Sequence, residues 1–344
     1  MIKINKRFRK SKLNSKLSHN NDLLLKESGP NWGKANIWKW KGLNCHWRLL
    51  GEKGKKPLIL IHGFGASSCH WRNNAKYFAS NNFCVYAIDL IGFGNSEQPK
   101  PRQMRVLDNY IWSKQLEDFL EEIVEAKKYG KAILIGNSLG GLCSITLAAR
   151  RPDLIEKLVA APLPDPALIQ PTLRIIQKIP IRIKAYFVRM VFRLIPISLL
   201  IQLIIKTKLI VFALQSAYQN SIERDKELIR IVTTPAKKKS AAGALRSMCI
   251  GMSLRDRQHT APELLKLIER NNRVIPILLV WGREDKLIPL MLGKKLIEQY
   301  SWLKLLVLEN TGHCPHDESP SCFNHNVLNW LETNPNNFQI NNSI

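Results

Sequence analysis

The chain lacks any uninterrupted apolar run of the roughly 18 residues that a membrane-spanning helix needs. The nearest approach is residues 194–205, interrupted by Pro196, Ser198 and Gln202 and bounded by Arg193 and Lys206. That run is too short to cross a bilayer, although it could lie in one surface. Acidic residues are missing from two stretches. Residues 1–21 carry seven Lys or Arg and no acid, and residues 166–221 carry eight and no acid. The first stretch has no apolar core of a secretory signal. Its Lys-, Asn- and Ser-rich composition predicts a disordered basic arm over residues 1–35. The seven cysteines are odd in number and show no C-x-x-C spacing. That excludes a paired disulfide framework and suits a reducing, intracellular setting. No H-E-x-x-H occurs, and His62 and His70 are too far apart to form a helical ligand pair. No G-x-x-x-x-G-K-[ST] loop occurs to cradle phosphate. Gly63-Phe64-Gly65 has Ser68 where a dinucleotide fingerprint needs its third glycine. Neither a metal nor a cofactor is expected.

What is present points to one large α/β domain with an insertion, which 344 residues at 45% apolar content can bury. The net charge of +25 favours anionic partners. Nucleic acid is not the expected one, because no recognition motif accompanies the charge. Peripheral contact with an anionic membrane fits better.

Short β-rich runs at 58–61, 85–88, 132–135, 277–280 and 305–308 read as buried parallel strands. Helical patterns lie between them. One is capped by Asp108 or Asn109 and carries Ile111, Leu116, Phe119, Leu120 and Ile123 on one stripe. Others run over about 142–151, 290–300 and 321–331. This alternation predicts a mostly parallel sheet with helices on both faces. It stops near Pro162 and resumes near Ile275. The expected organisation is therefore a core over 36–162 and 274–335, a helical cap inserted over 163–273, and a tail over 336–344. Within the cap, Arg182, Arg189 and Arg193 share one face of a helix that follows Pro180, with Phe187, Val191 and Leu194 away from that stripe.

The chemistry is concentrated at Gly136-Asn137-Ser138-Leu139-Gly140. A strand, then G-x-S-x-G, then a helix is a nucleophile elbow, whose sharp turn needs small residues on either side of the serine. Ser138 needs a base and a group to orient that base. In this kind of sheet the chain order is Ser, acid, His. Asp285 follows the strand 277–280 and is the expected acid, with Glu284 an alternative one residue off. His313 follows the last strand and is the expected base, with His316 a weaker candidate. Cys314 stands beside His313, but no elbow holds it. The backbone N–H groups of Phe64 and Leu139 are the expected oxyanion donors. His62 is read as shaping the loop next to that hole, and Asp89 as a carboxylate that organises its own loop.

The segments HGFGASSCHW, DLIGFGNSEQP, GNSLGG, WGREDKLIP and TGHCPHDESP together resemble the α/β-hydrolase superfamily over about residues 36–333. Trp38 to Gly42, His62 to Trp71, Asp89 to Pro99, GNSLGG and GHCPHDESP are similar to a narrower cyanobacterial and plastid group. That group includes pheophytinase and chlorophyll dephytylase, which cleave the phytyl ester of chlorophyll pigments. The resemblance implies an α/β-hydrolase fold with Ser138 as nucleophile, Asp285 as acid and His313 as base. It implies hydrolysis of a hydrophobic small-molecule ester, in the cytoplasm or at the periphery of a thylakoid-type membrane. Superfamily members that open epoxides or cleave carbon–halogen bonds generally carry Asp at the elbow, where this chain has Ser138. Thioesterase, C–C hydrolase and cofactor-free haloperoxidase chemistry can share such a triad. A membrane-associated binding protein that keeps the triad unused is the non-enzymatic alternative.

Overall fold

The computed structural model describes residues 32–100, 102–168, 180–271 and 275–333. The chain enters through a hairpin of β1 (Lys34–Trp40) and β2 (Leu43–Leu50). Lys41 and Gly42 between them both have positive φ, 48° and 79°, as a two-residue hairpin turn with the matching twist requires. There follow β3 (Lys56–Ile61), α1 (Ala75–Ser80), β4 (Phe83–Ile88), α2 (Asn109–Glu122), α3 (Ala126–Tyr129), β5 (Ala132–Asn137), α4 (Leu139–Arg150) and β6 (Ile155–Ala161). Between β6 and β7 the chain makes a helical excursion: α5 (Ile181–Leu194), α6 (Ile197–Lys206), α7 (Leu209–Gln215), α8 (Lys226–Ala236), α9 (Ala241–Leu254) and α10 (Ala261–Arg270). The core resumes with β7 (Ile277–Gly282), α11 (Leu290–Gln299), β8 (Leu303–Leu308), α12 (Pro315–Glu318) and α13 (Pro320–Glu332).

The sheet has eight strands in the order β1-β2-β4-β3-β5-β6-β7-β8. β1–β2 and β2–β4 pair antiparallel, and every other pair is parallel. The central strands β3, β4, β5 and β7 are apolar almost without alternation because both faces are covered. Ile59 and Ile61 join the core under α2, α4, α10 and α11. Leu58 and Leu60 point the other way, into a second core under α1 and α13 with Phe78, Phe323 and Trp330. Parallel order brings the carboxyl ends of β3, β5, β7 and β8 to one edge of the sheet, where open α/β sheets place their ligands.

Asp108 caps α2, its Oδ1 accepting from the Ile111 N–H at 2.9 Å. Two sequence expectations need correction. The arm was expected to reach residue 35, but Trp32 is buried and β1 begins at Lys34. Residues 1–31 and the expected tail over 336–344 lie outside the described residues. The strand β6 was not expected, because Glu156 and Lys157 interrupt its apolar run. Lys157 is nonetheless buried: its Nζ donates to the carbonyls of Trp330, Leu331 and Thr333 at 3.3, 2.7 and 3.1 Å. A cation at the carbonyl end of α13 is well placed against the helix dipole. Burial pushes its pKa down.

Candidate active site

Ser138 sits between the end of β5 and the first residue of α4 with φ 50° and ψ −117°. A non-glycine residue in that region is strained, and such strain persists only where the surroundings enforce it. Here they do. The Ser138 N–H donates to the Ala161 carbonyl on β6 at 3.1 Å. A Cβ on Gly136 would collide with the backbone of Gly140 and Gly141, and one on Gly140 with the carbonyls of Ile61 and His62. The close approach of strand, helix and β3 loop therefore leaves the serine alone at the tip of the turn.

His313 lies beyond β8, and its Nε2 is 2.9 Å from Ser138 Oγ. Its Nδ1 is 2.9 Å from Asp285 Oδ2. A carboxylate can only accept, so the proton belongs on Nδ1, and Nε2 is left to accept from the serine hydroxyl. The other Asp285 oxygen, Oδ1, accepts from the N–H groups of Leu287 and Ile288, each at 2.9 Å. These bonds fix the carboxylate against the ring. Asp285 is 6% exposed and His313 8%.

Leu139 follows the serine in the chain, and Phe64 follows Gly63 in the loop after β3. Gly63 is so close that a Cβ on it would stand 3.3 Å from Ser138 Cβ. Among the described residues neither the Phe64 nor the Leu139 N–H has a protein acceptor. Leu139 is the first residue of α4, where helix N–H groups and the helix dipole favour negative charge. The Phe64 ring is 59% exposed and packs edge-on against Phe93 at 5.6 Å. His62 lies in the loop itself. Its Nδ1 donates to the Gly63 carbonyl at 2.7 Å, and its Nε2 accepts from the Leu90 N–H at 3.0 Å. Burial pushes its pKa down, which keeps this tautomer neutral. Asp89 is fully buried and accepts from the N–H groups of Ser68 and Asn95 at 2.6 and 2.7 Å. Burial alone would raise its pKa, but His46, 3.0 Å away, and these bonds hold it well below the usual carboxylate range.

The other candidates are placed elsewhere. Glu284 accepts from the Thr311 N–H at 2.9 Å and donates its own N–H to the Thr311 carbonyl at 3.0 Å. It ties the acid loop to the histidine loop and does not touch His313. His316 is buried against Trp71 and points Nε2 at His70 Nδ1, 3.3 Å away. Burial and the neighbouring His70 push its pKa well down. Burial pushes the Cys314 thiol up, away from thiolate chemistry.

One set of contacts had no signal in the sequence. The His313 N–H donates to the Ala217 carbonyl, in the excursion, at 2.8 Å. Glu318 Oε1 accepts from the N–H groups of Gln219 and Asn220 at 2.7 and 2.6 Å, and Oε2 accepts from that of Gly312 at 2.6 Å. Next to it, Arg72 donates to Asp317, Asp225 and Glu227 at 2.8, 2.5 and 3.1 Å. The excursion is thus fastened to the loop that carries His313. Apart from Gly312 and Glu318, six residues from each other, these pairs are about a hundred residues or more apart in the chain, so no local spacing announces them.

A family model of the alpha/beta hydrolase fold matches residues 56–182. A solved α/β-hydrolase-fold protein from Burkholderia ambifaria superposes with a TM-score of 0.62 at 20% identity, covering 88% of this chain and 99% of that one. The chain has the α/β-hydrolase fold. Among curated relatives, epoxide hydrolase 4 of Mus musculus is 32% identical over 38% of this chain, which spans only 34% of that protein. Pheophytinase of Arabidopsis thaliana is 25% identical over 86% of this chain and 65% of its own length.

Proposed function

We propose that the protein is a serine hydrolase that cleaves a carboxylic ester of a hydrophobic substrate through an acyl-enzyme. The observation that carries this reading is the continuous relay from Ser138 Oγ to His313 Nε2 and from His313 Nδ1 to Asp285, with both distances 2.9 Å. His313 takes the hydroxyl proton as Ser138 attacks the ester carbonyl, and Asp285 holds the resulting imidazolium. The tetrahedral oxyanion is met by the Phe64 and Leu139 N–H groups, each such donor contributing about 3 kcal/mol to the transition state. His313 then protonates the leaving alcohol. A water activated by the same ring releases the acid.

Epoxide chemistry fits this site poorly despite the relative named above. Serine attack on an epoxide would leave an ether, which a histidine-activated water does not cleave, whereas a carboxylate nucleophile leaves a hydrolysable ester. The exposed Phe64 ring, which packs on Phe93 and follows Gly63 at the serine, supports a hydrophobic substrate. The similarity to pheophytinase supports a phytyl-type ester as the narrower choice.

The test is Ser138→Ala. Turnover of short p-nitrophenyl esters should fall at least about ten-thousandfold, and labelling by a fluorophosphonate probe should vanish. Unchanged labelling in this variant would refute the assignment. Hydrolysis of chlorophyll or pheophytin by the wild type, set against short soluble esters, decides the narrower substrate.

A further inference from the structure

Exposed apolar side chains are concentrated in one part of the molecule. Phe187, Leu194, Leu199, Leu203 and Phe212 all lie on the consecutive helices α5, α6 and α7, with Leu194 75% and Phe212 76% exposed. Residues 166–221 contain no acid. On α5, Arg182, Tyr186, Arg189, Met190 and Arg193 line an open groove of about 470 Å³. None of these arginines has an acidic partner among the described residues. Helical geometry puts the arginines on one line, with Phe187 and Leu194 about 120–140° further round. The third side of the helix, with Val188 and Phe192, is half-buried against the protein. Arg246 of α9 fastens that side, donating to the carbonyls of Phe192 and Ile195 at 2.9 and 3.3 Å.

We propose that the α5–α7 face is a docking surface for an anionic lipid bilayer, with the apolar side chains in the acyl boundary and the three arginines on headgroup phosphates. Charge complementarity selects the occupant: a continuous basic and apolar face without acids suits a negatively charged interface. Length sets the depth. At 1.5 Å per residue the 14-residue α5 is about 21 Å long and the 10-residue α6 about 15 Å, each short of a hydrocarbon core of roughly 30 Å. Among the described residues no single helix is long and apolar enough to cross a membrane, and α5 and α6 meet at a 49° bend. A shallow, in-plane seat satisfies both facts. The proposal is independent of the ester reading, since its readout is binding rather than turnover.

The experiment is flotation of the full chain with vesicles of phosphatidylcholine alone and of phosphatidylcholine with phosphatidylglycerol in equal parts. Wild type should float with the anionic vesicles and stay behind with the neutral ones. Arg182→Gln, Arg189→Gln and Arg193→Gln combined should weaken partitioning roughly a hundredfold, while Lys at the same three positions should retain it. Leu194→Asp with Phe212→Asp should also release the protein. These side chains are exposed, so thermal unfolding should stay at the wild-type value and separate lost docking from lost fold. Equal recovery with neutral vesicles overturns the proposal. Undiminished binding of the triple Gln variant also overturns it, and assigns any lipid affinity to the basic residues 1–31. So does lipid-free self-association abolished by the Asp pair, which would make the face a contact between copies.

Discussion

Glu318→Gln isolates the contribution of the helical excursion to the proposed chemistry. The carboxylate of Glu318 bridges Gly312, next to His313, and Gln219 and Asn220, next to Ala217, which itself accepts from the His313 N–H. The glutamine carbonyl can keep the pair of bonds from Gln219 and Asn220. Its NH2 then faces the Gly312 N–H, donor against donor, and that bond is lost. A hydrogen bond to a charged acceptor contributes about 1.5–3 kcal/mol, so the histidine loop loosens by that order. The Ser138–His313 contact tolerates little movement: displacement by about 1 Å can cost a hundredfold in rate. The kcat on short esters should fall about ten- to hundredfold with KM little changed, because binding groups stay in place. Steady-state kinetics beside thermal unfolding separates the two effects. A wild-type kcat in a variant with a lowered Tm would refute the reasoning and leave Glu318 as a stabilising contact alone.

Arg72→Met should cost about 3–5 kcal/mol in urea unfolding, since it strands the buried Asp317 carboxylate without its cation. A loss under about 1 kcal/mol would contradict that role. Burial holds His62 and His316 neutral in the fold, while in the unfolded chain each gains a proton as the pH drops through about 6.5. Their contribution is therefore complete above that pH and declines below it, by about 1.4 kcal/mol per pH unit for each histidine. A urea midpoint that stays constant from about pH 6.5 to 5 would show that neither is held neutral. Gly282→Ala would drive a methyl into the carbonyls of Thr311 and Gly312, and should lose about 1–3 kcal/mol of stability together with most of the activity. Wild-type turnover in that variant would count against the tight packing of the two loops.

The parallel core was legible because its strands are buried on both faces, which turns them into apolar runs bounded by turns, as at 58–61 and 132–135. Ser138, Asp285 and His313 were legible as candidates because each follows such a run. What escaped has a common cause. β6 contains Lys157, whose burial is compensated by carbonyls from the far end of the chain, and a window of neighbouring residues reads it as polar. In β1, Lys34 and Lys39 are exposed while Trp40 is buried, so the strand has no continuous apolar run. Glu318, Ala217 and Arg72 act across gaps of about a hundred residues or more, where periodicity carries no information.

Gly282 ends β7 just before the acid loop, and Gly312 stands just before the base. The two loops touch through their backbones: the Glu284 N–H donates to the Thr311 carbonyl at 3.0 Å, and the Arg283 N–H to the Leu308 carbonyl at 2.9 Å. The spacing between Asp285 and His313 is thus set by peptide dimensions, much as the rungs of a sheet are. Beyond the Glu284 and Glu318 carboxylates, which accept from the Thr311 and Gly312 N–H groups, side chains around the pair can drift in size and polarity without moving acid from base. An engineer reshaping this pocket therefore has wide freedom in its lining and almost none at Gly282, which contributes only a hydrogen atom to the site.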